Sequence, residues 1–128
     1  MFPRATVVIL CVLLATMATL AVLAAIRIKT AADSGGHVRV TNDISVFRSQ
    51  LEEYRKMNGS FPTSKQGLQA LVREHLIGGI PPDSWNTPYI YRCPGMRNPN
   101  GYDLFSAGPD RKPDTADDDW GDPDLTNR

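Results

Sequence analysis

From Ala5 to Ile26 the chain reads ATVVILCVLLATMATLAVLAAI, 22 residues without a charge. At 1.5 Å of rise per residue this makes a helix of about 33 Å, enough to cross a hydrocarbon core of ~30 Å. The remainder of the 128 residues has room for one small domain at most. A cleavable signal peptide passes the same apolar test, with Arg4 ahead of the run and small residues at its end, but its apolar stretch is usually only about 7–15 residues long. The length of the run therefore predicts a retained anchor over residues 1–29, followed by a separate domain over 30–128. Charge does not set an orientation, because Arg4 and the amino terminus flank one end of the run while Arg27 and Lys29 flank the other.

Helical periodicity returns after Gly35 and Gly36, which weaken a helix at that point. Val40, Ile44, Phe47, Leu51 and Tyr54 follow spacings of four, three, four and three, which is one helix face. Asn58–Gly59 fits a left-handed helix end, and Pro62 forbids continuation. Thr63 with Gln66 three residues on has the form of a capping box, predicting a short second helix with Leu68, Leu71 and Val72 on its apolar side. Two strand-like runs follow, Pro88–Cys93 and Tyr102–Ser106, joined by the turn-rich PGMRNPNG. Two strands alone are marginal, so the hairpin is expected to pack against the long helix through Phe47, Leu51 and Tyr54. This is an α+β arrangement.

The segment DRKPDTADDDWGD holds six aspartates, at 110, 114, 117, 118, 119 and 122, in a chain with 14 basic and 14 acidic residues. Such a segment is either a solvated acidic tail or the seat of something positive. Balanced charge without a basic patch excludes a nucleic-acid footprint. His37 and His75 lack spaced partners for zinc, and Cys11 and Cys93 suit neither a disulfide nor a metal pair. SGGHVRV lacks the lysine and preceding strand of a phosphate loop. These residues predict a protein that is not an enzyme.

The order LEEYRKMNGSFPTSKQGLQALV, PPDSWNTPYIYRCPG, YDLFSAGPD and then the acidic stretch resembles the major pseudopilin of the type II secretion system, the general secretion pathway protein G family. Tyr54, Asn58, Gly59, Phe61, Pro62, Thr63, Gln66, Gly67 and Leu68 occupy the family's first motif. Asp83, Ser84, Trp85, Asn86, Thr87, Pro88 and Tyr89 stand where the family has its tryptophan turn. Tyr102, Asp103, Leu104, Ser106, Gly108 and Asp110 match the last strand and its exit.

The resemblance implies a pilin-like fold, with a long N-terminal helix whose first half lies in the membrane and whose second half packs on a small antiparallel sheet. It implies a structural subunit that assembles through its N-terminal helix with copies of itself and other pseudopilins. These would work with the inner-membrane secretion assembly to support protein export, and the C-terminal domain would be periplasmic on a single-pass inner-membrane anchor. It also implies a calcium ion (Ca2+) in the acidic loop. The side chains of Asp110, Asp117 and Asp118 and the backbone carbonyls of Ala107 and Asp119 would be its ligands, with Asp114 and Asp122 solvated or supporting. Calcium takes six to eight oxygens on a flexible loop, which suits this composition. The family has glycines where Arg111, Pro113 and Asp114 stand. It also has a leader glycine before the phenylalanine and a glutamate soon after, neither of which MFPRATVVIL matches around Phe2. That departure implies either a start placed further upstream or an anchor kept unprocessed. The alternative reading is a membrane-anchored or secreted calcium-binding module with no filament role.

Overall fold

A computed structural model describes residues 3–122; Met1, Phe2 and the residues after Asp122 lie outside the described residues. The element order is α1 (Arg4–Asn58), α2 (Gln69–Arg73), β1 (Ile90–Arg92) and β2 (Asp103–Phe105). The chain divides into two compact units between Ser34 and Gly35.

In the first unit, Ala5–Arg27 is 23 residues of mean hydropathy 2.8, long and apolar enough to cross a membrane. Its large side chains, including Val8, Leu14, Met17 and Leu20, are exposed, so it is not the core helix of a soluble fold. Its threonines suit an apolar medium. The Thr16 hydroxyl donates to the Leu13 carbonyl and the Thr19 hydroxyl to the Thr16 carbonyl, both at 2.9 Å, so neither would be left unpaired in an apolar surrounding.

In the second unit the predicted helix face is buried throughout: Val40, Ile44, Phe47, Leu51 and Tyr54 are all inside. They form one cluster with Leu68, Ala70, Leu71, Tyr89 and Leu104, so the helix does cover the hairpin. Phe47 meets the Tyr89 ring edge-on at 5.2 Å, and the Tyr89 hydroxyl donates to Asp43 at 2.7 Å. Burial, reinforced by that carboxylate, pushes the Tyr89 phenol far above its ordinary pKa. Gly59 ends α1 as expected, with φ of 81° and its N–H donating to the Arg55 carbonyl at 2.7 Å.

The capping box forms but starts no helix. The Thr63 N–H donates to Gln66 Oε1 at 2.8 Å and the Gln66 N–H to Thr63 Oγ1 at 3.3 Å. The left-handed Gly67, φ 57°, then breaks the path, and α2 begins only at Gln69. It buries Ala70 and Leu71, while Val72 is half-buried.

The strands are three residues each, shorter than the apolar runs suggested. They pair antiparallel with Ile90 opposite Phe105, Tyr91 opposite Leu104 and Arg92 opposite Asp103. Alternation sends Leu104 to the helix side and Asp103 and Phe105 to the other face. That second face is covered as well. Trp120 stacks on Phe105 at 4.3 Å between centroids, Arg92 lies over Phe105 at 5.3 Å, and Arg97 lies over Trp120 at 4.2 Å.

Candidate functional site

Two buried aspartates build the frame on which the acidic loop sits. Asp83 accepts the backbone N–H groups of Trp85 and Thr87 at 3.0 and 2.7 Å, and the Thr87 hydroxyl at 2.7 Å. The Ser106 hydroxyl also donates to it, which ties this turn to the end of β2. Asp103 accepts the N–H groups of Met96, Arg97 and Asn98 at 2.7, 3.0 and 3.1 Å, curling the hairpin loop around its carboxylate. Gly95 makes that possible, since a Cβ there would lie 2.5 Å from an Asp103 oxygen.

The acidic loop leaves this frame at Ala107 and is closed at its base. Ser106 and Asp119 exchange both backbone hydrogen bonds at 2.9 Å. Gly108 is left-handed, and a Cβ on it would collide with the Asp117 carbonyl oxygen. Arg111 and Asp114 are left-handed too, at φ of 60° and 68°. These are two of the three places where the resembled family carries glycine, so the loop keeps a glycine-like path while using other residues.

Asp110, Asp117 and Asp118 each turn to a donor of the loop itself. Asp117 accepts the Asp110 N–H at 3.0 Å and the Thr115 hydroxyl at 2.8 Å, and the hydroxyl leads in holding its carboxyl below the usual range. One Asp118 oxygen accepts the Asp114 N–H at 2.9 Å. The other, Oδ1, is buried without a hydrogen-bond partner, and burial pushes this carboxyl up. Asp110 is exposed, with one oxygen accepting the Lys112 N–H at 2.8 Å.

Asp119 is nearly inaccessible. His37 Nδ1 lies 2.6 Å from one of its oxygens, and the Gly121 N–H donates to the other at 2.9 Å. Its carboxylate is therefore spent, and its carbonyl, the candidate ligand atom, accepts the Ser106 N–H at 2.9 Å. Asp114, expected to be solvated or supporting, is exposed and pairs with Arg92 through two hydrogen bonds of 2.7 and 2.9 Å. Asp122 is exposed. Among the described residues no group of three or more His, Cys, Asp or Glu side chains stands close enough to hold a metal ion. The acidic loop thus presents oxygen donors of the right chemistry and one orphaned buried carboxylate oxygen, but it does not gather Asp110, Asp117 and Asp118 on a single point.

Sequence reasoning missed Arg92, Trp120 and His37. Arg92 left a faint trace, a basic residue that alternation along β1 directs to one sheet face, whereas Trp120 lies outside both strands and left none. His37 left none, since its partner is 82 positions away. An open cleft of about 280 Å³ lies between Arg92, Arg97, Asp103, Asp114, Asp118 and Trp120, where frame and loop meet.

The profile of the family described as type II secretion system (T2SS), protein G matches residues 27–122. The type II secretion system core protein G of Dickeya chrysanthemi is 32% identical over 130 residues, covering 91% of this chain and 82% of the relative. That of Pseudomonas aeruginosa is 30% identical, covering 78% and 80%. Among solved structures, the major pseudopilin from the type 2 secretion system of enterohaemorrhagic Escherichia coli superposes with a TM-score of 0.64. It is 32% identical, with 70% of this chain and 85% of that one covered.

Proposed function

The chain belongs to the type II secretion system protein G family, and from that premise we propose a periplasmic, calcium-bearing pseudopilin domain on a single inner-membrane helix. The family assignment itself makes the protein a structural pseudopilus subunit with a pilin-like fold, assembling with other pseudopilins, and not an enzyme. The filament reading therefore stands over an isolated calcium module. Beyond that, Ala5–Arg27 serves as the anchor, the domain after it faces the periplasm, and the inner-membrane secretion assembly receives the subunit.

The observation that carries the calcium proposal is the buried, unpartnered Oδ1 of Asp118. An ionised oxygen shut off from water and from donors is costly, and a cation removes that cost. Asp110, Asp117 and Asp118 would hold the ion by side chains, and Ala107 and Asp119 by carbonyls. Bound calcium would supply the positive charge against which these carboxylates can approach one another. Oxygen-only donors on an irregular loop favour calcium over magnesium, which requires a tighter octahedron.

Thermal melting of the full chain in mild detergent tests this. At free calcium about 100 times Kd, stabilisation is about 2.7 kcal/mol, a rise in Tm on the order of 10 °C. Magnesium should give little of it and chelator none. Asp117→Ala and Asp118→Ala should each remove most of the rise. Equal melting in calcium, magnesium and chelator would reject the metal site.

A further inference from the structure

We propose that Arg92 is the acidic loop's resident cation, a guanidinium clamp on Asp114 that holds Asp118 in position whether or not a metal ion is bound. Arg92 is fixed from two sides. Strand β1 sets its backbone opposite Asp103, and its guanidinium lies over the Phe105 ring at 5.3 Å. A planar guanidinium that stacks by its face donates by its edge. That edge meets Asp114 with Nη1 at 2.7 Å and Nη2 at 2.9 Å, a two-point contact that fixes direction as well as distance. The Arg92 hydrogen bond is also what chiefly holds the Asp114 carboxyl below its usual range.

The clamp reaches the candidate ligand through one further bond. The Asp114 N–H donates to Asp118 Oδ2 at 2.9 Å, which leaves Oδ1 as the buried oxygen without a partner. Arg92 thus holds in place the N–H that engages one oxygen of Asp118 and leaves the other available. Asp114 does this from a left-handed backbone, φ 68°, that glycine would adopt at less cost. A carboxylate at this strained position is accounted for by the partner it reaches, 22 residues back along the chain. Arg92 is a positioning residue here, since it touches no candidate ligand atom itself.

The clamp is judged without metal, by hydrogen exchange and mass spectrometry on the full chain in detergent with chelator. Peptides covering residues 106–121 should be protected in the wild type. Arg92→Lys keeps the charge but loses the fork, and it should speed their exchange about tenfold while peptides over Val40–Tyr54 stay unchanged. Asp114→Gly suits the backbone, leaves the Arg92–Phe105 contact intact and removes the carboxylate, and it should speed exchange equally. Unprotected loop amides in the wild type, or protection surviving in both variants, would overturn the clamp. Its bearing on metal affinity rests on the calcium reading above, and titration calorimetry addresses that part separately. Asp114→Gly should weaken calcium binding about tenfold, as loss of a residue supporting a ligand does. Undiminished affinity would overturn the positioning role. A wild-type chain that binds no calcium would remove the metal site, while the exchange data still decide the clamp.

Discussion

Asp83 and Asp103 are 2% exposed and Asp118 is 9% exposed, yet the three carboxylates have opposite surroundings. Asp83 draws in four donors and Asp103 three, and every one of their oxygens is engaged. Asp118 has one backbone donor and one orphaned oxygen. Depth alone therefore does not mark a binding site in this molecule. A saturated buried carboxylate is a staple for irregular backbone, whereas an unsaturated one needs a further partner, and the proposed calcium ion would supply it. The frame around Asp83 and Asp103 is built to stay shut, and the loop beside it is built with one bond missing.

Substitutions can break this contrast. Asp83→Ala should be the most damaging, because it strips four donors of a charged acceptor and unties the Trp85 turn from Ser106. A loss of about 3–4 kcal/mol is expected from hydrogen bonds to a charged group. Melting of the full chain followed by tryptophan fluorescence measures it, and a loss below about 1 kcal/mol would mean the staple is redundant. Asp103→Asn keeps one carbonyl acceptor for three N–H groups and should cost about 1–2 kcal/mol. That variant should also expose the amides of Met96, Arg97 and Asn98 to exchange.

The smallest effect is expected where the carboxylate is unsaturated. In chelator, Asp118→Asn removes a charge that no donor fully meets, so stability should shift by less than about 1 kcal/mol or improve. In calcium the same variant should lose the metal-dependent rise in Tm. A loss in chelator as large as that of Asp103→Asn would erase the distinction between staple and site.

Legibility in the sequence followed the range of the interaction. The membrane-length run, the buried face from Val40 to Tyr54 and the stop at Gly59 were readable because each depends on a few consecutive turns. The residues of the Asp83 turn were recognisable by resemblance, but its bond to Ser106 was not, since that donor lies 23 positions away. The second helix starts later than the capping pattern predicts, because the turn that begins at Thr63 closes on a left-handed Gly67.

The sequence by itself determined an uncharged 22-residue span, one helix face and an acidic loop near the end. Each is a sum of residue-by-residue transfer energies or periodicities, and such sums do not require knowing what lies opposite. Only the tertiary structure decided which aspartates are staples, that Trp120 covers Phe105, and that Arg92 reaches Asp114. Whether a carboxylate is satisfied depends on donors delivered by other segments, and their identity exists only once the chain has closed on itself.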